Sequence, residues 1–441
     1  MNFPNGNAGP IETMLNAMFS PEWLRDTAVR VGLIKRNRKI DPVAFFWVLV
    51  LGFGVGVQRT LASLRRAYET MSAKSIAPSA FYDRFSPQLV AFLKECVNHG
   101  IAELANNTTL SLSAKLKGFK DLVVADGTLI KLHKNLARQF PGVRSEAALK
   151  IHTVISVTAG GPKSITLHAG RTAEVKTMRV GPWVKDTILL FDLGYFKYQL
   201  FSRITRNGGH FVSRLKQTAN PTIVSVLQKY RGRAIDLAGK SLQDILPHLK
   251  REVLDVLVEI SFKRRPYKGN VTLAKETYRL VGVLDHDTNE YHLYLTSLSP
   301  EQISAEDVAL LYGARWSIEL VFKELKRIYQ LDVIDSGNDD VVQSLVLVAM
   351  LTLVVSHRVL NFMRNLVPEK GNRWTPMRWA ETFRVSSGRL LERVLKVAGI
   401  EDDPLELLYF YLVEGVDPNV NRKRLLDPWV QMNNFQENNL H

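Results

Sequence analysis

Between residues 119 and 216 the chain changes texture, and that change limits its fold more than any other feature. "FKDLVVAD" (119–126), "LKIHTVISVTA" (149–159) and "KSITLHAG" (163–170) are β-branched runs parted by glycine-bearing turns, as strands should be. "TILLFD" (187–192) reads as a fully buried strand, "YFKYQLFSRI" (195–204) as a helix and "HFVSRLK" (210–216) as another strand. Three strands in succession, then strand–helix–strand, specify a mixed α/β sheet covered by helices.

Helical periodicity dominates the flanks. Residues 1–115 carry it through "IETMLNAMF", "DPVAFFWVLVL" and "TLASLRRAYETM", with Asp41-Pro42 as a helix start. The pair "RTLASLRRAYE" (59–69) and "PSAFYDRF" (78–85) resembles a helix-turn-helix. Residues 218–300 interrupt the sheet: "KSLQDILPHLKREV" is helical, while "LDVLVEISF", "ETYRLVGVLD" and "EYHLYLTSL" suggest a small antiparallel sheet. The chain should therefore divide into 1–115, 116–217, a β-rich insertion over 218–300, a return to the sheet domain over 301–360, and a mostly helical 361–441. The length, 441 residues, suits several domains rather than one core.

Two strand-like runs end on a carboxylate, "VVAD" on Asp126 and "LLFD" on Asp192. Strand ends are where α/β sheets collect ligands, although a lone aspartate there is usually a helix cap or turn residue. A third acid lies in "LLYGARWSIELVFKELKRIYQL" (310–331): on one straight helix, Tyr312, Arg315, Glu319 and Lys326 share a wedge of roughly 60°. Three carboxylates meeting at a point repel one another unless cations neutralise them, and hard Mg²⁺ or Mn²⁺ are the natural occupants. Two such ions about 4 Å apart suit in-line phosphoryl displacement. Arg315 would fork onto phosphate oxygens, Lys326 supply a point charge and Tyr312 a hydroxyl donor.

Charge points the same way. Lys and Arg outnumber Asp and Glu 58 to 43, a net charge of +15 that favours a polyanionic partner, nucleic acid first. "FKRRPYKGN" (262–270), between two strands of the insertion, places Lys263, Arg264 and Arg265 at a hairpin tip suited to a DNA backbone; "NRKR" (421–424) is a weaker case.

"YGARWSIELVFKELK", with its Tyr312, Arg315, Glu319 and Lys326, resembles the Tyr-Arg-Glu-Lys signature of DDE transposases from bacterial insertion sequences. "VVADGT" (123–128) and "LLFDLGYF" (189–196) look like that family's first and second aspartate blocks. The resemblance covers about 118–335. It implies a ribonuclease H-like mixed sheet flanked by helices, with two Mg²⁺ or Mn²⁺ ions on Asp126, Asp192 and Glu319. It further implies phosphate contacts from Tyr312, Arg315 and Lys326, strand cleavage and 3′-OH transfer on double-stranded DNA, and a homodimer that pairs two element ends. One departure stands out. Related enzymes that form DNA hairpins stack a base on an insertion tryptophan, yet no Trp lies between Trp183 and Trp316. Tyr267, Tyr278, Tyr291 or Tyr294 would have to replace it.

Other signals weigh less. Cys96 alone forms no internal disulfide, fitting a reducing bacterial cytoplasm beside the nucleoid, and the start "MNFPNGNAGPIETML" lacks a signal-peptide layout. The apolar runs 43–57 and 345–355 fall short of the ~20 residues that span a bilayer and read as core helices, so no membrane partner is expected. "AIDLAGKS" (234–241) nearly matches a phosphate-binding loop, but no buried strand precedes it. His133, His152 and His168 lack metal-ligand spacing, and Trp316 should point into the core. The alternatives left open are a transposase-derived DNA-binding protein that no longer cuts and a P-loop DNA-dependent ATPase.

Overall fold

The computed structural model describes residues 9–35, 40–72, 74–106, 112–143, 146–228, 235–264, 272–367 and 374–400. Arg265, Tyr267, the "NRKR" run and the chain beyond 400 lie outside them. Nine strands form one sheet in the order β3-β2-β1-β4-β5-β9-β8-β7-β6. They are β1 (Asp121–Lys131), β2 (Ala148–Ser156), β3 (Gly161–Ala169), β4 (Thr187–Phe191), β5 (His210–Arg214), β6 (Thr222–Val226), β7 (Val253–Lys263), β8 (Leu273–Asp285) and β9 (Glu290–Thr296). β1 pairs antiparallel with β2 and parallel with β4, and β4 runs parallel with β5. This is the mixed α/β sheet, flanked by helices, that the alternation of runs specified.

The strands of 218–300 do not stand apart from that sheet. β9 pairs antiparallel with β5 from Val212↔Thr296 to Arg214↔Tyr294, so β9, β8, β7 and β6 prolong it. The reason is that β5 carries fully buried Phe211 and Val212, and an apolar edge of that kind must be covered or paired.

Helices α1 (Pro10–Met18), α2 (Pro21–Arg30), α3 (Pro42–Val48), α4 (Leu61–Ser72), α5 (Pro78–Tyr82) and α6 (Pro87–Asn106) precede the sheet; α7 (Glu174–Thr177), α8 (Tyr198–Arg206) and α9 (Leu242–Ile245) punctuate it. α10 (Ala305–Gly313), α11 (Trp316–Lys323), α12 (Asp339–Leu366) and α13 (Pro376–Val397) follow. Strand alternation sorts the core. Leu122, Val124, Ile188 and Leu190 face the larger cluster with α12, while Val123, Ala125, Leu189 and Phe191 face the smaller one with α8. The start at Asp41 is capped as its sequence implies, with Oδ1 accepting from Val43 N at 2.7 Å and Ala44 N at 3.2 Å.

α12, 28 residues long, is apolar enough to cross a membrane, longer than the run 345–355 alone suggests; 89% of its apolar window is buried inside the molecule. In the pair α4–α5, the helix-turn-helix-like hairpin, Arg65 meets Glu69 at 2.6 Å and Glu69 accepts from Ile76 N at 2.8 Å, which fixes the intervening turn.

One expected helix, 310–331, is instead three pieces. After α10 the bonds Ala314 N–Leu311 O, Arg315 N–Tyr312 O, Ser317 N–Ala314 O and Ile318 N–Arg315 O are i→i−3, a tighter turn than the α-helix. Beyond α11 the chain widens into a π turn at Glu324–Ile328. Three residues at about 120° rather than 100° advance the phase by about 60°. The narrow wedge drawn on a straight helix is therefore redistributed. Trp316, expected in the core, is 64% exposed, with the Arg315 guanidinium 5.5 Å from its ring.

Candidate active site

β1 does not end at Asp126, as the run "VVAD" suggested, but continues to Lys131. β4 stops at Phe191 and its last register pair is Ala125↔Phe191, so beyond that point β1 is bonded only to β2. Asp126 and Asp192 are thus the next residues on two neighbouring parallel strands about 4.8 Å apart. Asp192 keeps extended backbone (φ −78°, ψ 167°), so both carboxylates leave on the face that carries Val124 and Leu190, the face on which α11 packs against β1. Asp192 sits at the N-cap of a short turn, Leu193–Tyr195, yet its side chain accepts no capping bond. The ordinary explanation of a strand-end aspartate fails at this residue.

The pair lies in an electronegative setting. Burial pushes the Asp126 carboxyl up to about 6; the Gly127 N–H, 2.7 Å from Oδ1, opposes this, Glu174 and Asp192 add to it, and Arg315 offsets part. The same acids, after burial, raise the Tyr195 hydroxyl, which has no hydrogen-bond partner.

Glu174 was missed in the sequence. It opens the four-residue α7, where "TAEVKT" offers no periodic or motif signal. Its carboxylate packs on Gly194, where an added Cβ would sit 1.7 Å from Oε2, and Oε1 lies 3.6 Å from buried Lys150 Nζ. The glycine inside "LLFDLGYF" is the trace it leaves, legible only once the two segments are seen to touch.

Arg315 links the two halves of the site. Its Nη2 donates to Glu319 Oε1 at 2.8 Å, its side chain is 11% exposed, and Asp192 contributes to its electrostatics. Burial pulls the guanidinium pKa down, but the Glu319 hydrogen bond and the surrounding charges outweigh it and raise it. The Tyr312 hydroxyl is buried, makes no hydrogen bond of ordinary geometry, and is pushed up to about 12, chiefly by burial. Lys326, set by the π turn, donates to Leu129 O at 3.1 Å, three residues beyond Asp126 on β1. Lys263 and Arg264 end β7 on a separate groove.

The structure brings Asp126 beside Asp192, and Arg315 between Asp192 and Glu319. Among the described residues no three His, Cys, Asp or Glu side chains stand close enough to hold a metal ion. Glu319 is turned onto Arg315 instead. The donors still suit a hard divalent cation with a phosphate beside it: they are carboxylate oxygens, and two buried donors, Tyr312 Oη and Arg315 Nε, lack partners.

Other candidates resolve differently. In the insertion, Tyr278 and Tyr294 are buried, while half-buried Tyr291 donates its hydroxyl to the Arg251 carbonyl and lines a groove. Ser241, in the near-match to a phosphate loop, caps α9 by accepting from Asp244 N, and α9 has only four residues. Among the described residues the strand before it, β6, is mostly exposed or half-buried rather than the buried strand a nucleotide loop follows. His133 caps a turn through Nδ1, His168 meets Thr166 Oγ1 at 2.9 Å, and burial lowers His152 to about 4.

A family model described as "Transposase DDE domain" matches residues 117–355, more than half of the chain. The transposase for insertion sequence element IS1151 of Clostridium perfringens is 24% identical over 302 residues, 62% of this chain and 64% of that one. The transposase for IS231B of Bacillus thuringiensis subsp. berliner is 21% identical over 400 residues, 80% of each. The match thus spans a little under two thirds of the first relative's length. A solved piggyBac transposase synaptic complex with hairpin DNA aligns over 94% of this chain and 86% of its own at 10% identity and a TM-score of 0.48, too low to bear on the fold. The matched stretch begins just before β1 and ends within α12, enclosing Asp126, Asp192 and α11. The chain belongs to the DDE-domain family of insertion-sequence transposases.

Proposed function

We propose that this chain cleaves DNA at the ends of its element and joins the freed 3′ hydroxyl to target DNA, with Asp126, Asp192 and Glu319 as the catalytic acids. The observation that carries this reading is the placing of Asp126 and Asp192 each one residue past the register pair Ala125↔Phe191, with Asp192 free of any capping role and burial pushing the Asp126 carboxyl up to about 6. Divalent ions bound there would activate the attacking and leaving oxygens of a phosphodiester. Water attacks first and the 3′ end second, with no covalent protein intermediate.

The chain's own groups position the strand. Arg315 has a free guanidinium edge for a phosphate, Tyr312 an unpartnered hydroxyl, and Lys326 a cation pinned beside β1. Together with Glu319 they would form the family's Tyr-Arg-Glu-Lys signature. Glu319 must exchange Arg315 for the acid pair when ions and DNA arrive. The segments 1–115 and 361–441 would recognise the terminal repeats, and two copies would pair the ends.

The bond from Arg315 to Glu319 also favours a second reading, a family member that binds DNA without cutting. Mg²⁺-dependent nicking of end-containing DNA decides between them. The proposal expects wild type to nick and Asp126→Ala to lose it; equal, negligible nicking by both would leave the binding-only reading.

A further inference from the structure

A groove of about 1150 Å³ opens on the α8 face of the sheet, opposite the face that carries Val124 and Leu190, between α7, α8 and the end of β7. Its α7 wall starts next to Glu174, whose charge reaches Asp126: Val175 and Lys176 follow Glu174 directly, and Lys197 comes two residues after Tyr195. Lys176 and Arg179 stand on one wall, Lys197, Arg203 and Arg206 on the other, and Lys263 with Arg264 closes the far end. All seven are exposed, and among the described residues no acid lines the groove. Among the described residues, only Arg206 of these has an ion-pair partner, Glu276 at 3.0 Å.

The floor is apolar, made by Val175, Val180, Leu200 and Phe262. A rim of cations, six of the seven without an ion-pair partner, over an apolar floor matches one unpaired nucleic-acid strand, whose phosphates meet the rim while its bases lie on the floor. A duplex presents phosphates alone and has no use for that floor.

We propose that this groove binds a single DNA strand, with Arg179 and Arg203 as its principal phosphate contacts. The inference rests on the transposase reading for its substrate but not on cleavage.

The test measures binding of fluorescein-labelled oligo-dT and of a random-sequence duplex by anisotropy, without divalent cation, across a salt series. The double variant Arg179→Ala/Arg203→Ala is compared with Lys240→Ala/Lys250→Ala, which removes the same charge from exposed positions elsewhere. At about 0.7 per lost single-strand phosphate contact, the groove variant's salt slope falls in magnitude by about 1.4, equivalent to about 25-fold weaker oligo-dT binding at 0.1 M salt. The control pair should change it little, and duplex binding should fall less than oligo-dT binding. Equal losses for both double variants, or equal losses on oligo-dT and duplex, would overturn the groove assignment. Circular dichroism and thermal unfolding confirm that the variants fold. Because no cleavage is read, a chain that binds oligo-dT through the groove yet never nicks would sink the transposase reading alone.

Discussion

Asp126→Asn separates the demands of folding from those of the site. The folded carboxyl titrates at about 6 against an ordinary value of 3.8, so between those values the native chain holds more protons than the unfolded one. Its stability therefore falls as pH rises through that window. At about 1.4 kcal/mol per tenfold change, ionising Asp126 in the fold costs about 3 kcal/mol, and partial solvent access reduces this to roughly 1.5 kcal/mol. Asparagine keeps an oxygen for the Gly127 N–H, now 2.7 Å from Oδ1, and carries no charge towards Glu174 or Asp192. Urea unfolding in EDTA should show the variant more stable than wild type by about 1.5 kcal/mol at pH 8 and equal to it at pH 4. The same substitution should abolish nicking. A variant no more stable at pH 8, or favoured equally at both pH values, would refute the claim that anionic neighbours and burial strain this carboxylate.

Three further predictions follow from other contacts. Asp192→Asn should cut nicking by at least about a thousandfold while leaving DNA affinity without metal within about twofold, read by a gel assay and anisotropy side by side. Arg279→Ala removes both 2.8 Å bonds to buried Asp255 and the bond to Ile303 O; the abandoned carboxylate should cost about 3–5 kcal/mol in urea unfolding, and a loss below about 1 kcal/mol would show that pair to be dispensable. Gly194→Ala places a methyl against the Glu174 carboxylate and should displace it, lowering nicking more than stability; unchanged nicking would show that Glu174 does not support the acids.

The order of runs between 119 and 216 was enough for the sheet, because strand alternation and buried β-branched residues report local burial directly. β6 and the joining of β9 to β5 were not legible, since pairing partners distant in sequence leave no local mark. Asp126 and Asp192 stood out because a carboxylate ending an apolar run is costly without a purpose. Arg315, Glu319 and Lys326 were found by helical spacing, yet their arrangement was misjudged: straight-helix geometry cannot anticipate the i→i−3 turn at 314–318 or the π turn at 324–328. Trp316 went wrong for that reason. Glu174 stayed hidden because its meaning lies wholly in its contact with Gly194. The groove cations are spread over α7, α8 and β7, and only Lys263 and Arg264 fell within a visible basic run.

Manganese placed by anomalous diffraction on crystals soaked in Mn²⁺ puts the acid site itself on trial. The account predicts ions bridging Asp126 and Asp192, with Glu319 turned away from Arg315 to join them. Manganese held without Glu319, the glutamate still bonded to Arg315 in the presence of a DNA end, would contradict it.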